Sequence, residues 1–298
     1  MTTLASPQRD AAPAQGRLGV IGGSGLYDLE VLTDVQRVAI ETPFGDPSDE
    51  IVVGRLGALE VAFLPRHGRG HRILPGELNF RANVHAMKQL GVTTLISVGA
   101  VGSLREEIVP GHLVVPDQFI DRTQGRRATF FGEGVVAHVQ FGDPVCGRLT
   151  AALVASAREA GATVHAGGTY VCMEGPQFST RAESHIYRSF GAAVIGMTNL
   201  QEAKLAREAE MCFASLALAT DYDCWHESAS EVDIGAIVAV IQANARRAAD
   251  TLAAVADRLP AGDCRCRHAL EGAIITDRAM IPVVTRQRLR WIAGRYLE

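Results

Sequence analysis

The chain has 298 residues, 47% of them hydrophobic, with 29 basic against 33 acidic side chains and a formal charge of −4. That length and apolar content bury a substantial core, and the slight acidic excess excludes a surface built to hold nucleic acid or an anionic membrane. No stretch has the roughly 18 uninterrupted apolar residues of a membrane helix, so a soluble, cytoplasmic protein is expected.

In chain order, residues 1–16 read as a disordered Ala/Pro/Gln-rich tail and 17–298 as one domain. Short Val/Ile/Leu-rich runs then recur: "RLGVIGG", "IVVGRL", "LEVAFLP", "VTTLISVGAVG", "GHLVVPDQFID", "GGTYVCM", "AAVIGMT" and "CFASLALATDY". Their lengths suit strands buried on both faces. Between them lie helical patterns that close at Gly91, Gly161 and Gly191, the last opening with the capping-box pair Thr180 and Glu183. The segment "SEVDIGAIVAVIQANARRAADTLAAVADRL" reads as one long amphipathic helix. Strands alternating with helices predict an α/β fold, a single-domain three-layer sandwich with a mixed central sheet flanked by helices.

Ligands of such folds gather beyond the carboxyl ends of the strands, and four of those ends carry chemistry. "GVIGGSGLYD" puts Gly22, Gly23 and Gly25 around Ser24, a turn whose backbone donors suit an anion. It is neither a Walker loop nor a dinucleotide fingerprint, since Asp28 stands where the last glycine belongs. "FLPRHGRGH" supplies Arg66, His67, Arg69 and His71, a guanidinium fork beside imidazoles that suits phosphate. "ISVGAVGSL" offers backbone donors around Ala100. "CMEGPQFSTRAE" and "AVIGMTNLQEAKLAREAE" bring Phe178, Ser179, Met197 and Thr198, and "ATDYDCWH" ends a buried strand in Asp221 and Asp223. Read singly, each is a turn, a core residue or a solvated loop; their conjunction is what points to a site.

Six cysteines are too few for a disulfide framework. Cys146, Cys172, Cys212 and Cys224 lie among apolar neighbours as small hydrophobes, whereas the "CRC" pair, Cys264 and Cys266, reads as surface thiols or a local disulfide. One intervening residue is too few for the usual metal spacing, and the sequence offers no second pair. Neither a metal nor a cofactor is expected.

These strand-end motifs, with "TPFGDPSD", "PRHGRGHRILPGELNFRANVHAMK", "GSLREEIVPGHLVVPDQFIDRT", "EGPQFSTRAE" and "GMTNLQEAKLAREAE", resemble the trimeric purine nucleoside phosphorylase family. Within it they are most similar to the members that act on S-methyl-5'-thioadenosine. The resemblance implies phosphorolysis of a purine nucleoside, with inorganic phosphate as co-substrate, by a homotrimer or a dimer of trimers. It implies a phosphate site of Ser24, Arg66, His67, the Ala100 amide and Thr198, with Met197 under the ribose. Phe178 and Ser179 would sit beside the base. Ile234, Ile237 and Val238 would wall an apolar 5' pocket, with His138 entering from a neighbouring subunit. Two positions depart from the family: Gly99 stands where a hydroxyl or amide residue is usual, and Gln201 where many relatives have proline.

Asp221 is then the candidate acid that protonates the departing purine at N7, with Asp223 its orienting partner. A carboxylate oxygen also accepts the N6 amino hydrogen of adenine, and it would face the O6 of a 6-oxopurine lone pair to lone pair. The expected substrate is therefore a 6-aminopurine nucleoside carrying a small apolar 5' group. The rival readings are a 6-oxopurine nucleoside phosphorylase, a nucleoside hydrolase, and a noncatalytic nucleoside binder.

Overall fold

The computed structural model describes residues 16–23, 31–227 and 234–298, with the backbone alone over 234–238. Residues 1–15 of the expected tail, and Ser24 with Gly25 of the first strand-end turn, lie outside the described residues. Strands β1 (Arg17–Gly22), β2 (Thr33–Val38), β3 (Ile51–Leu56) and β4 (Leu59–Pro65) are followed by helix α1 (Phe80–Gln89) and the long strand β5 (Val92–Ser103). Next come β6 (Leu113–Val115), β7 (Gln118–Arg122), helix α2 (Gly147–Glu159), β8 (Val164–Ala166) and β9 (Thr169–Met173). Helix α3 (Arg181–Ser189), β10 (Ala192–Gly196), α4 (Asn199–Glu208), β11 (Cys212–Tyr222), α5 (Ile234–Val255), α6 (Val283–Arg288) and α7 (Arg290–Leu297) complete the order.

Among the described residues the strands form one mixed sheet ordered β2-β3-β4-β1-β5-β10-β9-β7, with β11 also on β5 and carrying β6 and then β8. The hub is β5, parallel to β1 and β11 and antiparallel to β10 at its far end. Successive residues of a strand face opposite sides, and here they fill two cores. Ile21, Leu64, Leu95 and Phe213 pack with Val84 and Met87 of α1 and Leu205 of α4. Leu18, Val20, Phe63, Ile96 and Leu216 pack with Leu149 and Leu153 of α2 and Leu252 of α5. The sheet thus lies between two helical layers, as the alternation of strands and helices predicts.

Local signals hold at several ends. Asn79 caps α1 by accepting from the Ala82 N–H, and Thr180 with Glu183 forms the expected capping box on α3. Pro116 divides "GHLVVPDQFID" into β6 and β7. Strand β2 escapes sequence reading: "TDVQRV" is a solvent-exposed edge strand with no apolar face, held by antiparallel pairing to β3.

The reading of Cys264 and Cys266 as surface thiols or a local disulfide is corrected. All six cysteines are free, Cys266 is 4% exposed, and Cys264 is half-buried. Their sulphurs turn inward to meet those of Cys146 and Cys212. The pair missing from the linear sequence is supplied by chain folding.

Candidate active site

The carboxyl ends of β4, β5, β10 and β11 open on one cavity of about 630 Å³. Its lining includes Gly23, Arg66, His67, Gly99, Ala100, Phe178, Met197, Thr198, Asp221 and Asp223. Residues separated by some 200 positions in the chain are thereby brought together.

At one end sits the Arg66 guanidinium, 1% exposed. Its Nε donates to Glu202 Oε1 at 2.6 Å and its Nη2 to Glu202 Oε2 at 3.1 Å and Ser97 Oγ at 2.7 Å, while Nη1 donates to the Val98 carbonyl at 2.9 Å. Ser97 also donates to Glu202. The fork that sequence reading offers to phosphate is therefore held by Glu202, and the Nη1 edge is left for a ligand. Glycine is required at Gly23, because a Cβ there would stand 2.6 Å from Arg66 Nη1. At Gly99 a Cβ would meet Nη1 only at 3.4 Å, so this departure from the family pattern removes side chain where the space would accept one.

His67 lies beside Arg66, buried and stacked on His71 at 4.3 Å. Its Nδ1 is 2.8 Å from the Ile73 carbonyl, which can only accept, so that nitrogen carries the proton. Burial, then the Arg66 charge, pushes its pKa down to about 4, against the Ile73 hydrogen bond. The ring is neutral at neutral pH and its Nε2 bare. Thr198 is the N-cap of α4, makes no side-chain cap bond and lines this end of the cavity.

At the other end are the two acids. Asp221 pairs in register with Gly102 of β5, and a Cβ on Gly102 would fall 3.2 Å from Asp221 Oδ1, so the bare glycine lets the carboxyl lie against the strand. Burial pushes Asp221 up to about 6, opposed by the Thr220 hydroxyl, which donates to Oδ2 at 2.9 Å, and assisted by the Asp223 charge. Asp223 is 8% exposed, and its Oδ2 is buried without a hydrogen-bond partner. The Asp223 N–H and the Trp225 indole both donate to the Ser103 carbonyl, at 3.0 and 2.8 Å, and fix this turn to the end of β5. A buried acid near neutrality beside an unsatisfied carboxylate oxygen can deliver a proton and accept an amino hydrogen.

Between these ends run Met173, Ile195, Met197 and Ile241, an apolar wall. Phe178 lines the mouth and is 83% exposed, whereas Ser179 is buried with its hydroxyl toward Met173 Sδ at 3.6 Å. Ile234, Ile237 and Val238 fall on the first turns of α5, where side chains lie outside the described residues; Ile241, further along the same helix, reaches the cavity. His138 is not among the residues that line it; it is exposed, with its backbone N–H donating to the Ala273 carbonyl at 2.9 Å.

Sequence reasoning misses Glu202 and Arg126. A glutamate among Leu200, Ala203, Leu205 and Ala206 on a buried helix is a signal in itself, because a buried acid needs a buried cation. Arg126 donates from Nε to Glu174 Oε2 at 3.0 Å, from Nη1 to the Met197 carbonyl at 2.5 Å, and from Nη2 to the Glu174 carbonyl, tying two strand ends together. Gln201, for which the sequence suggests no role, is buried and donates to Thr123 Oγ1 at 2.8 Å.

The sequence profile of the phosphorylase superfamily matches residues 17–260. The chain is 62% identical over 94% of its length to a protein of Geobacter sulfurreducens named S-methyl-5'-thioadenosine phosphorylase, of which it covers 99%. It is 56% identical over 95% of its length to a protein of the same name from Koribacter versatilis, covering 97% of that chain. Among solved structures, a methylthioadenosine phosphorylase from an antarctic soil metagenomic library superposes with TM-score 0.88 at 46% identity, over 93% of this chain and 98% of that one. The methylthioadenosine phosphorylase of Schistosoma mansoni in complex with adenine gives 0.81 at 36% identity, over 87% and 97%.

Proposed function

This chain belongs to the phosphorylase superfamily, in its purine nucleoside phosphorylase family, and from that premise we propose that its cavity carries out phosphorolysis of S-methyl-5'-thioadenosine to adenine and 5-methylthioribose 1-phosphate. The observation that carries the reading is the acid pair: Asp221 with a pKa pushed up to about 6, next to an Asp223 oxygen buried without a partner. Adenine supplies what both need, a basic N7 for the proton and an N6 amino hydrogen for the bare oxygen.

Phosphate is assigned to the opposite end, where Arg66 Nη1, His67, the Ala100 amide and the start of α4 at Thr198 converge, with Ser24 as a further donor. Met197 lies under the ribose, and Phe178 with Ser179 flanks the base. The 5' methylthio group meets an apolar wall. Ile234, Ile237 and Val238 belong to it by their spacing from Ile241, which is the spacing of one helical face. As phosphate attacks the anomeric carbon from below, positive charge builds on the ribose, the bond to N9 breaks, and Asp221 neutralises the leaving base.

The active unit is a homotrimer or a dimer of trimers. Phe178 lines the cavity while 83% exposed, a side chain that a neighbouring copy would cover, and Val136, two residues from His138, is exposed together with Ile275, Met280, Val283 and Val284, apolar surface of the kind subunits bury. No helix among the described residues is long and apolar enough to cross a membrane. Six free cysteines suit the reducing cytoplasm.

The test is adenine release from methylthioadenosine with and without phosphate. Turnover requires phosphate and yields the sugar 1-phosphate, and Asp221→Asn lowers kcat/KM by about 100- to 10,000-fold. Faster cleavage of methylthioinosine, or unchanged activity in the variant, refutes the assignment.

A further inference from the structure

Away from the cavity, four cysteines converge. Cys146 is the N-cap of α2, its N–H donating to the Phe213 carbonyl at 2.8 Å, and Cys212 opens β11. Cys264 and Cys266 belong to the turn at Arg265–His268, closed by the Arg267 N–H donating to the Cys264 carbonyl at 2.8 Å. All four sulphurs lie within 4.8 Å of one another, and Cys146 Sγ is 3.8 Å from Cys264 Sγ. Zinc–sulphur bonds of about 2.3 Å in tetrahedral array put ligand sulphurs about 3.8 Å apart. The side chains therefore stand at a spacing that small inward rotamer shifts convert into a coordination shell.

The surroundings favour the same reading. Cys146, Cys212 and Cys266 are buried in the core that also contains Leu149 and Val255, with Cys264 packed against it. Four thiolates about a divalent ion leave a charge of about −2, and the same turn carries Arg265 and Arg267.

We propose that Cys146, Cys212, Cys264 and Cys266 form a structural tetrathiolate site for zinc. Binding displaces the thiol protons to solvent, breaks no other bond and involves no redox change. The ion would tie the segment following α5 to the start of α2 and the first residue of β11, at the opposite end of that strand from the substrate cavity. None of the four cysteines lines that cavity, so the site is independent of the function proposed above.

The experiment uses the full chain, purified under reducing conditions without chelator from zinc-supplemented cells. Elemental analysis is expected to find about one zinc per chain, released by a mercurial reagent rather than by dialysis. Exchange with cobalt gives thiolate-to-metal charge transfer and tetrahedral d–d bands. Cys264→Ser and Cys266→Ser each lose most of the metal and lower Tm by several degrees, with methylthioadenosine turnover retained below the transition. If those variants fail to fold, native mass spectrometry of the unaltered protein reads the bound ion directly. The proposal is overturned by a zinc-free protein whose four thiols titrate as free, by peptides recovered as disulfides from unreduced protein, or by zinc that survives in the serine variants.

Discussion

A carboxyl group that hands a proton to a leaving base near neutral pH must differ from an ordinary surface acid, and Asp221 differs through burial first and its neighbour second. On the proposed mechanism the protonated form is active, so kcat/KM is level below about pH 6 and falls about tenfold per pH unit above it. The limb is read from the pH profile of the free enzyme, and Asp221→Asn removes it; a limb that persists in the variant assigns the titration elsewhere. The acids, Arg66, His67 and Met197 are legible in the sequence because each follows a recognisable strand. Glu202 is not, because its partner lies 136 residues away and only the fold shows that a charge at that helix position is balanced.

At the scale of elements, α4 ends in Glu208, whose carboxylate accepts from the Phe130 N–H and the Thr129 hydroxyl, both at 2.7 Å. Burial outweighs these bonds and pushes its pKa up to about 7 from 4.5. A carboxyl whose folded pKa is raised binds more protons folded than unfolded, so the stability it contributes is complete below pH 4.5 and is lost as pH rises through 7. The lost contribution is on the order of 3 kcal/mol. Glu208→Gln is expected to flatten the fall of Tm between pH 4.5 and 7; an unchanged slope would place the titration on another group. Helices and central strands are legible because their periodicity is set by burial on a known face. The edge strand β2 carries no such face, and the four-cysteine cluster is hidden because spacing rules work along the chain while Cys146 and Cys264 meet across 118 residues.

At the scale of the molecule, Met280, Val283 and Val284 are each about 70% exposed, and on the proposed assembly a neighbouring copy covers them. Val284→Glu would place an unpaired charge in that contact. It is expected to shift the protein toward monomer in sedimentation and to reduce turnover, although the residue does not line the cavity; an unaltered assembly would place the subunit contact on another face. Arg66 joins β1 and β5 to α4, and because Glu202 cancels its charge, the phosphate site proposed above would hold its anion mainly through dipoles and the neutral His67 ring. Such a site sorts anions by whether they carry a hydrogen. Hydrogen phosphate and arsenate have one to give the bare His67 nitrogen, whereas sulfate, equal in size and charge, meets it lone pair to lone pair and is left a poor competitor.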